Sequence, residues 1–189
     1  EQAAKYIDVK HVIGLNSGTD ALMMALWAYG IGKGDEVITT PVSFVATTGA
    51  IVHVGAIPVY VDVCDDQNID VSKIEAAITS RTKAIMPVHW SGRIVNMDAI
   101  MAIAKKHNLK VIYDAAHCFG VKYRGKSIFS YGDVSTCSFH ATKLFHTGEG
   151  GALFTKDPEL FHKCFYSHTF GHLGPLDYCG VGINGKISE

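Results

Sequence analysis

The chain has 189 residues, 48% of them apolar and 19% charged, with a net charge of −1. At about 150 residues per domain this is one domain, and a charged fraction below the usual ~25% excludes a disordered chain and favours a sheet covered on both faces or a large subunit interface. The neutral balance gives no basic footprint for nucleic acid, and no apolar run reaches the ~18 residues of a membrane span.

The chain begins with Glu1, not Met, without a signal-peptide pattern, and stops at Ile187-Ser188-Glu189, which reads as a helix start. The expectation is a piece of a longer protein. In between, short β-branched runs alternate with helical patterns. Residues 11–16 read as a strand, 19–29 as a helix capped by Ser17 or Thr19 and stopped at Gly30, and 36–40 as a strand. A helix is expected over 44–54, a strand over 57–63 and a short helix over 71–78, with Asp70 available as its cap. Strand 84–89 precedes helix 97–107, which places Ile100, Ile103 and Ala104 on one face. Strands follow over 111–115, 134–139 and 152–155, then a helix over 158–166 and a Gly-rich loop. Seven strands with helical crossovers predict an α/β domain with a mostly parallel sheet. The five cysteines (64, 118, 137, 164 and 179) are odd in number, lie mostly in apolar segments, and read as reduced core thiols of a cytoplasmic protein.

Open α/β sheets bind ligands outside the carboxyl ends of their strands. That edge collects Ser17, Gly18 and Thr19, then Ser43 and Phe44, His89 and Trp90, Asp114 and His117, and finally Ser138, His140 and Lys143. Asn16-Ser17-Gly18-Thr19 opens a helix, where free N–H groups and the dipole favour an anion such as phosphate. The same residues also suit a plain helix cap with a tight turn. Gly30-Ile31-Gly32-Lys33-Gly34 follows a helix and precedes a strand, so it reads as a helix stop rather than a P-loop or a dinucleotide fingerprint. Asp114 ends an apolar strand and needs a cationic partner, either a neighbouring Arg or Lys or a protonated ring nitrogen of a cofactor. Lys143 is either a surface lysine or a partly buried amine able to attack a carbonyl. A phosphate cradle, a buried Asp and such a Lys are the parts that pyridoxal phosphate requires. The spacing of Cys164, His168, His172 and Cys179 fits no common zinc finger, so no metal is expected. His11, His53, His107 and His162 read as satisfied structural or surface residues.

Six segments occur in order: Asn16–Leu22, Thr40–Thr47, Asp114-Ala115-Ala116-His117, Ser138-Phe139-His140-Ala141-Thr142-Lys143, Gly148-Glu149-Gly150-Gly151 and Gly182-Ile183-Asn184-Gly185-Lys186. Together they resemble the DegT/DnrJ/EryC1/StrS sugar aminotransferases over essentially the whole chain. The resemblance implies the large domain of a fold-type I pyridoxal-phosphate enzyme, a three-layer α/β/α unit with a seven-stranded sheet. Residues 1–189 would be that domain in part, without the N-terminal segment and the smaller C-terminal domain. It also implies that Lys143 carries the cofactor as a Schiff base and moves the proton. Asp114 would pair with the pyridine nitrogen, His117 would lie on the ring's hydroxyl side, and Phe44 would stack on the ring. Gly18, Thr19 and Ser138 would hold the phosphate. Asn184 would reach the phosphate of a neighbouring subunit, which implies a homodimer with shared sites.

The implied reaction transfers an amino group, usually from glutamate, to a nucleotide-linked ketosugar for surface-polysaccharide, lipopolysaccharide or antibiotic sugar synthesis. Two alternatives stand beside it. One is a deoxysugar dehydratase, which has His at the lysine position, so that Lys143 argues against it. The other is a non-catalytic module on the same scaffold. His89, Trp90 and residues 168–174 are candidates for sugar contact or for packing at the dimer interface.

Overall fold

The computed structural model describes residues 2–187. The helix start read at the chain's end therefore falls partly outside the described residues, at Ser188 and Glu189. The elements are α1 (Gln2–Ile7), β1 (His11–Leu15), α2 (Gly18–Ala28), β2 (Glu36–Thr39), α3 (Val45–His53), β3 (Ile57–Tyr60), α4 (Val71–Ile74), β4 (Thr82–Ile85), α5 (Met97–His107), β5 (Lys110–Asp114), β6 (Lys122–Tyr123), β7 (Lys126–Ser127), β8 (Val134–Ser138), β9 (Gly151–Thr155) and α6 (Pro158–Ser167).

Seven strands form one sheet in the order β1-β9-β8-β5-β4-β2-β3. Pairs β2–β3, β2–β4, β4–β5 and β5–β8 are parallel. Strand β9 is antiparallel to both of its neighbours. The mostly parallel α/β sheet expected from the sequence is thus present, with one reversed strand.

Apolar layers cover both faces. Ile38, Val111, Tyr113 and Phe154 pack with Ile100 and Ala104 of α5 on one side. On the other, Val37, Ile112 and Leu153 pack with Leu22, Met24 and Leu26 of α2. Helix α2 also touches α3 and α6, which is why five of its residues are buried and its apolar pattern runs almost all round. Each fully buried side chain of this size contributes about 1.5–3 kcal/mol.

Short polar side chains set the helix ends. Ser17 caps α2 by accepting a hydrogen bond from Asp20 N–H at 3.0 Å, which decides between the two expected caps. Asn96 caps α5, which ends at Asn108 in the left-handed region. Asp157 and Pro158 open α6.

The differences from the sequence reading have local causes. The helix expected over 71–78 is one α-turn, α4, followed by a 3-10 turn at Glu75–Ala77. Strand β4 starts two residues early and ends at Ile85. Beyond it the chain keeps parallel contact with β5 through Asp114 N–H to Pro87 O and His89 N–H to Asp114 O, both at 3.0 Å. Pro87 cannot donate to a ladder, so regular pairing stops there. The hairpin β6–β7 escapes a hydrophobic-pattern reading because its four residues are half-buried or exposed. Its turn, Arg124-Gly125, has positive φ at both positions, as a two-residue hairpin requires. Cys118, Cys137 and Cys164 are buried as expected, but Cys64 and Cys179 are exposed, and all five are free. No described helix is long and apolar enough to cross a membrane.

Candidate active site

A cavity of about 520 Å³ opens at the carboxyl edge of the sheet. Ser17, Gly18, Thr19, Ser43, Phe44, His89, Trp90, Asp114, His117, Ser138, His140 and Lys143 all line it. Every residue that the strand-end rule selected is therefore brought to one place. Asn184 does not line the cavity. Its backbone C=O accepts from Asn16 Nδ2 at 3.4 Å, and its side-chain oxygen accepts from Lys186 Nζ at 2.6 Å.

One wall is the N-terminus of α2. Its approach to the sheet depends on two glycines. A Cβ on Gly18 would stand 3.0 Å from Ser138 Cβ. A Cβ on Gly151 would stand 2.4 Å from the Ser17 carbonyl, which is rigid backbone. Bare backbone at both points lets β9, the end of β8 and the free N–H groups of α2 converge on one spot, with the Ser138 hydroxyl beside them. This is the geometry of an anion cradle.

The floor is Asp114, at the end of β5 and 5% exposed. Its Oδ2 accepts from Thr47 Oγ1 at 2.6 Å, and its Oδ1 accepts from Ala116 N–H at 3.2 Å. Among the described residues no cation lies within ion-pair distance of it, so the sequence expectation of a neighbouring Arg or Lys partner is not met. Burial raises the carboxyl above its ordinary value; the Thr47 and Ala116 hydrogen bonds and the more distant charges of His117 and Lys143 oppose the rise only in part. A carboxylate in this state favours any cationic group that enters the cavity beside it.

Lys143, half-buried beyond β8, faces Asp114's side of the cavity. Its Nζ lies 2.9 Å from His117 Nε2. Burial lowers the affinity of His117 for a proton, the Lys143 charge lowers it further, and Asp114 partly opposes both. His117 is therefore neutral at pH 7, and its Nε2 shares a hydrogen bond with Lys143 Nζ. This contact orients the amine. His140 sits beside it with Nδ1 accepting from Thr142 N–H at 3.2 Å, which turns its Nε2 toward Glu149 at 3.6 Å.

Phe44 is the residue before α3 and is 71% exposed, so its ring is free to cover a planar group in the cavity. His89 is different. Its ring stacks on Tyr113 at 4.9 Å between centroids, and its Nδ1 accepts from Val95 N–H at 3.2 Å. Burial lowers its pKa to about 4, so it is a neutral packing residue at the cavity wall. Trp90 donates from Nε1 to Gln67 at 2.7 Å, which fixes its indole at the rim.

The His/Cys cluster separates in space. Cys164 is buried on α6 with its Sγ against Met24 O, while Cys179 is in the exposed loop. His11 departs from the expectation of a satisfied histidine. It stacks on Phe161, but its Nε2 is buried without a hydrogen-bond partner. The residue that sequence reasoning missed is Thr47. It lies inside the quoted Thr40–Thr47 segment, yet only the packing of α3 against β5 shows that its hydroxyl meets Asp114.

The geometry suits a phosphorylated, cationic aromatic cofactor. The start of α2 suits an anion, Asp114 has no cation beside it among the described residues, Phe44 offers a face, and Lys143 offers an amine. Comparison with known proteins points the same way. The chain is 46% identical over its whole length to the dTDP-4-amino-4,6-dideoxy-D-glucose transaminase of Shigella dysenteriae, covering 51% of that protein. It is 50% identical over 163 residues to the GDP-perosamine synthase of Caulobacter vibrioides, covering 85% of this chain and 43% of that one. The structure of NtdA from Bacillus subtilis with bound PMP superposes with a TM-score of 0.90 at 39% identity, over 97% of this chain and 42% of that one. The chain thus spans about half the length of the curated relatives it matches. The sequence profile of the family matches residues 1–189, and the chain belongs to the DegT/DnrJ/EryC1/StrS aminotransferase family.

Proposed function

We propose that the protein containing this chain is a pyridoxal-phosphate-dependent aminotransferase that moves an amino group, from glutamate as donor, to a nucleotide-linked ketosugar. The observation that carries this reading is the pairing, in one cavity, of a buried carboxylate without a cation (Asp114) and an oriented amine (Lys143). Relatives with printed sugar-transaminase names, and a structural neighbour holding PMP, support it.

When bound, the cofactor supplies a protonated pyridine ring that accepts electron density from the carbon losing its proton. Gly18 and Thr19 bind its phosphate through N–H groups at the start of α2, with the Ser138 hydroxyl beside them. Asp114 keeps the ring nitrogen protonated from within the low-dielectric floor. Phe44 covers the ring and excludes water. His117 receives a proton from Nζ of Lys143 or returns one, and holds that nitrogen on the reacting side. Lys143 serves first as the carbonyl-binding amine and then as the base that removes and redelivers the substrate proton.

Asn184 serves a neighbouring subunit, so the site is completed in a homodimer. Its position outside the cavity supports this, as do the almost fully exposed Leu144, Leu176 and Val181. The reaction belongs to cytoplasmic aminosugar synthesis for surface polysaccharides, including lipopolysaccharide.

The test uses the full-length protein. It is incubated with pyridoxal phosphate, reduced with borohydride and mapped by mass spectrometry. A phosphopyridoxyl mass on Lys143, and 2-oxoglutarate released from glutamate, are expected. Absence of the adduct, or its persistence in Lys143→Ala, overturns the reading.

A further inference from the structure

Asp114 is not held alone. Thr47 Oγ1 lies 2.6 Å from its Oδ2, and Ser43 Oγ lies 2.5 Å from Thr47 Oγ1. Thr47 is fully buried, whereas Ser43 lines the cavity. Ser43 stands two residues before α3 and Thr47 in its first turn, four positions on, so the entry to one helix carries both hydroxyls to the end of β5.

A threonine hydroxyl has one proton. When Asp114 is ionised, that proton points at Oδ2, and Ser43 must then donate to Thr47. When Asp114 is protonated, the carboxyl donates to Thr47 and the chain reverses toward Ser43. Both bonds have the short O···O separation of charge-assisted hydrogen bonds, and consecutive bonds of this kind strengthen one another. The arrangement therefore responds as a unit to the charge on Asp114, and it connects that charge to the cavity.

We propose that Thr47, with Ser43 behind it, is a positioning residue for the proposed reaction: the two-hydroxyl relay holds Asp114 as an anion so that the proton of the Asp114–pyridine pair stays on the ring nitrogen. This rests on the pyridoxal-phosphate reading above. Burial alone drives Asp114 toward its neutral form, and the Thr47 hydrogen bond is the largest influence in the opposite direction. The other groups that act on Asp114 are the Ala116 N–H, through its hydrogen bond, and the charges of His117 and Lys143. The nearby Cys118 thiol is pushed up to about 12 by burial and stays neutral. Without the relay, Asp114 becomes the stronger base and draws the proton from the ring nitrogen.

The experiment loads full-length protein with pyridoxal phosphate labelled with ¹⁵N in the ring and records its nitrogen resonance. Thr47→Val, which keeps the side-chain volume and removes the donor, is expected to move the resonance toward unprotonated pyridine. It is also expected to weaken cofactor retention about tenfold or more, the worth of a hydrogen bond to a charged group. Thr47→Ser restores both, and Ser43→Ala produces a smaller shift in the same direction. An unmoved resonance in Thr47→Val overturns the proposal.

A second measurement separates this failure from failure of the cofactor reading. In cofactor-free full-length protein, the ¹³Cγ signal of Asp114 is titrated. Its midpoint is expected to rise in Thr47→Val, and an unchanged midpoint overturns the relay whether or not the cofactor binds. If Thr47→Val does not fold, the same titration in Ser43→Ala decides: a rise supports the relay and no change overturns it.

Discussion

The sheet buries a carboxylate at each of its two edges, and the two are treated oppositely. Glu36 begins β2 at the amino edge and is 4% exposed. It is held by an ion pair with Arg81 and by the hydroxyls of Thr79 and Thr82. The Thr79 hydrogen bond, followed by Arg81, holds its pKa below the ordinary glutamate value. Asp114 ends β5 at the carboxyl edge with two hydrogen-bond donors and, among the described residues, no cation within ion-pair distance, and its pKa is raised. Glu36 is a finished structural contact. Asp114 is only partly compensated, and a buried, perturbed carboxylate lining a cavity is a functional-site candidate. The difference shows that burial of a charge does not distinguish structure from function, whereas the completeness of its partners does.

The comparison breaks first at the carboxyl edge. Lys143→Ala in the full-length protein is expected to lower amino transfer by about 10²–10⁴-fold, the usual worth of a positioned acid–base group. Keto-acid release from glutamate measures it. Asp114→Asn is expected to lower the rate by about 10²–10³-fold, as loss of a preorganised charge stabiliser does.

Asp114→Asn should also stabilise the cofactor-free protein at neutral pH. The folded value of Asp114 lies above its unfolded value near 3.8, so the native state holds more protons in that window. Stability therefore falls as pH rises through the window, and the Asn variant removes that fall. Urea melts of the cofactor-free protein from pH 4 to 8 check it, and an unchanged pH profile would contradict the contrast.

Gly151→Ala is expected to destabilise by about 1–3 kcal/mol, because its Cβ meets rigid backbone of Ser17. It should also weaken inorganic phosphate binding by spreading the cradle. Parallel urea unfolding and phosphate competition separate the two effects.

The smallest effect is expected at the amino edge. The folded value of Glu36 lies below its unfolded value near 4.5, so its contribution is complete above pH 4.5 and is lost as pH falls through the lowered value. Glu36→Gln should lower the urea midpoint at pH 7, flatten the acid limb of stability, and leave amino transfer unchanged. A loss of transfer in this variant would show that the two edges are coupled.

Much of the site was legible because strand ends are legible. The apolar run of β5 stops at Asp114 and the strand segment of β8 ends at Ser138, so the polar residues there fall at one edge of any parallel sheet. The six ordered segments then carried the family resemblance. The reversal of β9 was not legible, since alternation has the same period in either direction. Helix α1 is only six residues long, too short to show a helical period. Thr47 was not legible because its role depends on the docking of α3 against β5, two elements separated in sequence by β3, α4, β4 and α5.

By itself, then, the sequence determined the local order: which segments are strands, that Asp70 and one of Ser17 or Thr19 cap helices, and which polar residues end the strands. These follow from side-chain periodicity and from short polar side chains, such as Asp70, whose hydrogen bonds reach only a few residues. Tertiary structure alone decided that Arg81 completes Glu36 while Asp114 accepts hydrogen bonds from Thr47 and Ala116. Those contacts join residues 45 and 67 positions apart in the first two cases, and they depend on the packing of whole elements.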